Sequence, residues 1–512
     1  MSLININTSE KEKQKEKSKE EETKSKTKIA IKKAQKVTAI LLAAIGFDQY
    51  GGTLVYPFVP QMLKKRFHIS NKNVGVLSGV IEGSFKASSF FSCFYLGYFS
   101  DKFGRKPIII FSLFMVSITL LLFGFAWSVT SLILLEIIAG LTDGTEVVTK
   151  AVFSDLTSGV LNKYRSFLFA SMSACYAFFR GLSSATVSIF FGHDFGVEIF
   201  KKNPYLFPCI IGAIIVFIVA IITYIFFSDK GLMPKEVEPF VHKFKNLKEG
   251  FKFAWANRLL RKLVIVFSLC DFSNGSVFVL IILYTTLDYS EGGLGFSPNE
   301  TGVFFAIYGV GSVLFQFLWY NKLVKKIGVR KLFLLGSFVM ATCTSILPLS
   351  RLVIGDLESH KIWKWVVFTP FILPYCFGLM SLLSNALTMI SNVSGPGNQG
   401  MIQGSVGSIG SLFRSLGPFL AGSYFSFAEY INFPALVFIT LGFIYFIGFL
   451  LMLFIKSPEL EKSSHFLLKE NGTKEEDETN LEKDFLIKID EKNSETNSER
   501  ESLIKNDEHQ NV

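Results

Sequence analysis

The sequence predicts an all-α membrane protein of about twelve transmembrane helices, arranged as two six-helix pseudo-repeat bundles. Half of the 512 residues are hydrophobic, 55 are Phe and only 18% are charged, with a mean hydropathy of +0.40. That is more apolar surface than a water-soluble chain of this size can hide. Apolar runs recur at the spacing of helical hairpins, each near the roughly 20 residues that cross a bilayer core. The basic loop at Asp101, Lys102, Gly104, Arg105 and Lys106 has an echo at Lys325, Lys326, Gly328, Arg330 and Lys331, as two repeated halves would give.

The chain opens on a charged tail, residues 1–36, in which the mixed-charge run from 9 to 36 lacks the apolar stretch of a cleavable signal peptide. The first transmembrane helix is therefore expected to serve as the signal. Six apolar spans follow at 37–63, 74–99, 107–127, 129–152, 165–191 and 205–227, making a first bundle over 37–227. A basic central loop occupies 228–261. Six more spans at 262–287, 300–324, 331–350, 365–391, 400–424 and 433–455 make a second bundle over 262–456, and 457–512 is a polar tail too poor in apolar groups to fold by itself. Gly, Pro and charges interrupt several spans, which a bundle interior accepts when neighbouring helices re-satisfy the freed backbone groups.

Lys and Arg set the orientation. They crowd the loops after spans 2, 4 and 8 and the central loop, whereas Asp288, Glu291 and Glu300 follow span 7, so both termini are expected in the cytosol. Lys64, Lys65 and Arg66 after span 1 lie on the other side and break the pattern. A formal charge of +10 would suggest nucleic acid for a soluble chain; here it is topological, and no nucleic-acid partner is expected. The six cysteines all fall inside apolar runs without paired spacing, against a disulfide framework or a zinc site.

The segment from Gly97 through Asp101, Gly104, Arg105 and Lys106 to Pro107 resembles the G-x-x-x-D-x-x-G-R-[KR] signature of the major facilitator superfamily. Gly104 permits the tight turn, Arg105 and Lys106 hold the loop in the cytosol, and Asp101 can pair with cations of a neighbouring helix when the inner face closes. Phe47-Asp48 with Tyr56-Pro57 and Pro60, Ser297 to Gly302 leading to Gln316, and Gly400 to Arg414, Gly417-Pro418 and Gly422 are similar to the first, eighth and eleventh helices of its drug:proton antiporter branch. Within that branch the chain looks most like the zinc-induced-facilitator-like group. The resemblance implies a proton-coupled transporter of a small organic or metal-chelating solute. Two positions depart from it: Glu136 stands where an Arg usually precedes Gly140 and Gly144, and Arg180-Gly181-Leu-Ser-Ser replaces the antiporter-type G-x-x-x-G-P-x-x-G-G. The direction of transport is therefore left open.

Ionisable groups inside a bilayer cost roughly 2.5 to 3.5 kcal/mol each on insertion scales and usually face a cavity or a partner. Most lie in the first half: Asp48 in span 1, Glu82 and Lys86 in span 2, Glu136, Asp143 and Glu146 in span 4, and Arg180 in span 5; in the second half Asp271 and Arg414 are comparably deep. Glu82 with Lys86, and Glu146 with Lys150, can pair one turn apart and so merely neutralise each other for insertion. Asp48, Glu82, Lys86, Glu136, Asp143, Arg180, Asp271 and Arg414 are all candidates for substrate binding or proton coupling, and Asp48, Glu136 and Arg180, which have no such neighbour, come first among them. Asp48, just before Gly51-Gly52, leads. Asn274, Gln316 and Asn385 could bind solute or tie helices together equally well, and Tyr56, Tyr176, Trp319 and Tyr375 could line the cavity. The Gly404, Gly407, Gly410 row reads as a packing stripe.

The tail carries Glu482 with Leu486-Ile487 and Glu499 with Leu503-Ile504, which resemble acidic dileucine sorting signals read by clathrin adaptors. They point to a vacuolar or endolysosomal membrane, with the plasma membrane as the alternative. The absence of GxSxG, HExxH and P-loop patterns speaks against an enzyme, and neither cofactor nor metal is expected. The expectation is a secondary active transporter working by alternating access with a small solute bound near mid-membrane; the alternative is a non-transporting receptor or sensor on the same fold.

Overall fold

The structure is a computed structural model that describes residues 34–156, 165–228, 240–355, 361–394 and 399–461. Among them the chain forms twelve long helices and no strand. These are α1 (Ala34–Lys65), α2 (Asn71–Phe103), α3 (Arg105–Gly124), α4 (Val129–Thr142, continued after a break as Thr145–Leu156), α5 (Arg165–Phe190) and α6 (Leu206–Phe226). A connecting helix, Phe240–Ala256, leads to the second six: α7 (Arg258–Thr286), α8 (Pro298–Ile327), α9 (Val329–Leu352), α10 (Lys361–Ser394), α11 (Gln399–Tyr430) and α12 (Ala435–Phe454). The dileucine segments of the tail lie outside the described residues.

Composition sorts the helices by position. Helices α3, α6 and α12 have mean hydropathies of 2.4, 3.0 and 2.6 over windows only 50%, 39% and 39% buried, so their apolar side chains face lipid. By contrast α2, α4, α5 and α11, the helices richest in Ser, Gly and charge, pack on one another and on α8: α2 on α4 and α11, and α5 on α8. They need less apolar surface, because other helices cover part of them, and what remains exposed is apolar, as at Phe91, Leu134, Ile189 and Leu420.

The two halves meet along α2 with α11 and α5 with α8. Small residues let the backbones approach there. A methyl on Gly75 would lie 2.8 Å from the Gly422 carbonyl oxygen, and one on Gly181 would lie 2.8 Å from the Gly309 Cα. Both contacts sit toward the end of the bundle that carries the α1–α2, α7–α8 and α11–α12 connections. At that end Lys64 Nζ lies 3.7 Å from Asp288 and 3.8 Å from Glu291, Asn71 Nδ2 donates to Glu291 (2.5 Å), and Asn299 Nδ2 donates to the Ser188 carbonyl (2.9 Å). The end is thus tied across the halves by close packing and by polar contacts.

At the other end the two basic loops have the same backbone. Gly104 (φ 111°, ψ 154°) joins α2 to α3, and Gly328 (φ 86°, ψ 162°) joins α8 to α9. A side chain at either place would be strained in this positive-φ region. The repeat is visible in the turns themselves.

Span 4 reads as one continuous helix in sequence but is broken. Asp143 is extended (φ −76°, ψ 93°), and its freed backbone groups bond to neighbouring helices. Ser92 of α2 donates to the Asp143 carbonyl (2.8 Å), and the Gly144 amide donates to Ser112 of α3 (2.9 Å). Side chains of other helices replace the lost intrahelical bonds.

Candidate functional site

Asp48 sits on α1 eight residues before the turn Tyr56–Phe58, where Pro57 and Pro60 reshape the helix. It is 3% exposed and accepts a hydrogen bond from Thr145 Oγ1 (3.2 Å) at the start of the second piece of α4. The break in α4 thus brings Thr145 and Asp143 to α1. Asp143 is buried as well and accepts from Ser89 of α2 (2.9 Å). Among the described residues no cation is bonded to either carboxylate; Lys86 of α2 is within electrostatic range of both.

The two pairs anticipated one turn apart behave differently. Lys150 does reach Glu146. Glu82 and Lys86 form no ion pair among the described residues; the Lys86 ammonium lies over the Phe85 ring instead, 4.9 Å from its centroid. Glu82 is left buried and within electrostatic range of Lys86 and of Arg180 on α5. Glu136 on α4 is buried beside Tyr56 of α1 and faces Glu82. It also lines a cavity of about 20 Å³ formed with Gly51, Gly52, Val55, Phe85 and Leu120, room for a single water molecule.

Arg180 reaches across the halves. Its guanidinium stacks 3.9 Å from the centroid of Phe278 on α7, next to the close contact of Gly181 with Gly309. Cation–π contact of this kind gains strength when desolvated. In the second half Arg414 of α11 holds Asp271 of α7 through its Nη2 at 3.1 and 3.2 Å. Glu146 and Lys86 lie within electrostatic range of Arg414, so the charged groups of both halves form one connected set around the middle of the bundle.

Buried tyrosines lie within electrostatic range of this charged set. The Tyr375 and Tyr445 hydroxyls and the Tyr176 hydroxyl are buried with no protein partner among the described residues, and buried polar groups ordinarily have one. Tyr308 packs its ring 5.9 Å from Tyr375 and 5.8 Å from Phe278. Asn274 keeps a free amide oxygen. Gln316 and Asn385 are tied inside the second half, Gln316 to Ser384 and Asn385 to Tyr320 and the Ser381 carbonyl. Trp319 is 51% exposed on the outer surface, away from the buried tyrosines. Phe278, Tyr308 and Tyr445 were not singled out in sequence, because in spans this rich in aromatics nothing local separates a buried ring from a lipid-facing one. The one usable signal for Thr145 was its place just after Gly144.

The loop motif is built around Arg105, which is buried. Its Nη2 lies 2.8 Å from Asp155 at the end of α4 and 3.3 Å from Asp101 at the end of α2. A methyl added at Gly97 would meet Val147 of α4 at 3.6 Å, and Lys106 lies over the Tyr224 ring of α6. The motif therefore ties α2, α3, α4 and α6. Its echo is built differently: Arg330 donates to the Ile455, Met452 and Leu453 carbonyls at the end of α12, while Glu461 accepts from the Val329 and Arg330 amides.

With this geometry in view, the chain matches the family model described as Major Facilitator Superfamily over residues 41–296 and 291–476. Multidrug resistance protein 2 of Bacillus subtilis is 24% identical, covering 82% of this chain and 95% of its own length. Protein ZINC INDUCED FACILITATOR-LIKE 1 of Arabidopsis thaliana is 24% identical over 73% of this chain and 80% of its own. Among solved structures, the human organic anion transporter MFSD10 (TETRAN) superposes with a TM-score of 0.58 at 17% identity, covering 82% of this chain and 99% of that one. At that identity the likeness concerns the fold.

Proposed function

This chain belongs to the major facilitator superfamily, and on that premise we propose that it is a proton-coupled secondary active transporter that moves a small solute by alternating access. The observation that carries the proposal is the connected set of charges in the middle of the bundle: the buried carboxylates Asp48, Glu82, Glu136, Asp143 and Asp271 with the half-buried cations Lys86, Arg180 and Arg414. Such groups are costly in a membrane and are kept where a solute or an ion passes. Asp48 is the coupling carboxylate in this reading. It is held by a neutral hydroxyl and no cation, so it can load and release a proton without breaking an ion pair. The unpartnered hydroxyls of Tyr176, Tyr375 and Tyr445 are the solute's hydrogen-bonding partners.

We place both termini and the 228–261 connection in the cytosol, which makes the tied end of the bundle the non-cytosolic one. Tags at both termini and in 228–261 should be accessible only after permeabilisation; a tag reached without it reverses the assignment. The residence is a vacuolar, endolysosomal or plasma membrane, with the tail motifs at Leu486-Ile487 and Leu503-Ile504 as sorting signals for clathrin adaptors.

The decisive experiment is uptake by proteoliposomes with an imposed pH gradient, screened with metal chelates, organic anions and cationic drugs. Accumulation that collapses with the gradient supports the proposal. Saturable binding with no flux for any bound compound supports the receptor reading instead.

A further inference from the structure

The connecting helix Phe240–Ala256 has two dissimilar sides. Gly250 and Ala254, one turn apart, are buried, and the helix packs on α11; the small side chains let it lie close. On the other side Phe251 is 44% exposed and Trp255 is 48% exposed, their rings stacked 5.8 Å apart at 16°. Lys248 and Lys252 are exposed beside them. The sequence repeats an aromatic or leucine once per turn at Phe240, Phe244, Leu247, Phe251 and Trp255.

The helix stops at Asn257, whose extended backbone (ψ 114°) breaks it and whose side chain accepts from the Leu259 and Leu260 amides to start α7 at once. Trp255 is therefore one short turn from the point where α7 enters the apolar region. Arg258 and Lys262 are exposed there, and Arg261 lies over the Trp255 ring, 5.9 Å from its centroid, while donating to the Trp255 carbonyl (3.4 Å).

The geometry points to a binding site for anionic phospholipid: the aromatic side of the connecting helix enters the headgroup boundary of the adjoining leaflet while Lys248, Lys252, Arg258 and Lys262 bind lipid phosphates. Two features select a lipid surface over an aqueous partner. The exposed rings end one short turn before α7 begins, so they lie at the level where the chain enters the bilayer, the depth at which Trp characteristically marks the interface. Cations flank an apolar stripe on the same helix, which is the pattern of helices that lie in the interface and prefer anionic lipid.

The test uses the full chain in vesicles of phosphatidylcholine alone and of phosphatidylcholine with phosphatidylglycerol, both containing lipid brominated near the top of the acyl chain. The chain has 5 Trp, so the Trp255 signal is read as the difference between the native chain and Trp255→Phe. Quenching of that signal is expected, with an added dependence on phosphatidylglycerol. In Lys248→Gln/Lys252→Gln the phosphatidylglycerol needed for half-maximal quenching should rise on the order of tenfold, and high salt should do the same to the native chain. Quenching by aqueous iodide but not by brominated lipid overturns the site. Shielding from both quenchers overturns it too, because Trp255 is then covered by protein, the acidic tail of this chain included. Equal quenching in both vesicle types removes the anionic-lipid specificity.

Discussion

The interiors of the two bundles are built on opposite plans. In the second half the deep charges Asp271 and Arg414 bond directly to each other across α7 and α11, leaving a neutral frame of tyrosines. In the first half Asp48, Asp143, Glu82 and Glu136 are buried without a directly bonded cation among the described residues. A paired charge resists titration and fixes helix positions; an unpaired carboxylate responds to protons. The comparison suggests one half as the frame and the other as the responsive element.

The sharpest way to break the comparison is to unpair the frame. Asp271→Asn leaves the half-buried Arg414 guanidinium without its bonded carboxylate and should cost about 2 to 3 kcal/mol, less than the loss of a partner in a fully buried pair, seen as lost monodisperse protein after heating in detergent. Adding Arg414→Gln should recover most of the loss. If Asp271→Asn is as stable as the native chain, the pair is not structural.

Asp48→Asn should leave thermal stability near native, since Thr145 can still bond an amide. It should abolish accumulation driven by a pH gradient while sparing exchange at equal pH. Loss of solute binding would move Asp48 to the substrate site, and full retention of gradient-driven uptake would pass the role to Glu136.

The contact between the halves gives a smaller effect. Gly181→Ala places a methyl 2.8 Å from the Gly309 Cα, an overpacking that costs typically 1 to 3 kcal/mol. It bears on the tied arrangement alone, so reagents should label a cysteine placed at Ser188 faster, with folding unchanged. Unaltered labelling would show that the contact is not a gate.

The smallest effect is expected at the loop motif. Asp101→Asn leaves the stronger Arg105–Asp155 contact in place, so transport should slow only a few-fold, in keeping with the roughly 1 kcal/mol of a partly exposed ion pair. Asp155→Asn should slow it more. Equal effects would mean that Asp101 and Asp155 share Arg105 evenly.

Much of this was legible in the sequence. Apolar runs about the width of a bilayer marked the spans, and the Gly104 turn with its echo at Gly328 marked the repeat, because these are properties of length and of single residues. The break at Asp143 was not legible, since it depends on Ser92 and Ser112 arriving from two other helices. The same holds for Arg180, whose partner Phe278 lies in the other half, and for Lys86, which turns to Phe85 rather than to Glu82. Spacing along one helix cannot report the register between helices. Where a bond lies within one helix, as between Glu146 and Lys150, it was foreseen.

The meeting of Gly75 with Gly422 and of Gly181 with Gly309 has a kinetic consequence. Bare backbone carries no rotamers to interlock, so these surfaces can roll past each other without first withdrawing side chains from holes. In the proposed alternating-access cycle they would act as bearings rather than clasps, leaving the resistance to opening to the polar contacts across the halves: Lys64 with Asp288 and Glu291, Asn71 with Glu291, Asn299 with the Ser188 carbonyl and the Val76 amide with Ser426. In that cycle the speed of opening would be tuned at these contacts by salt or substitution, with the bearing surfaces untouched.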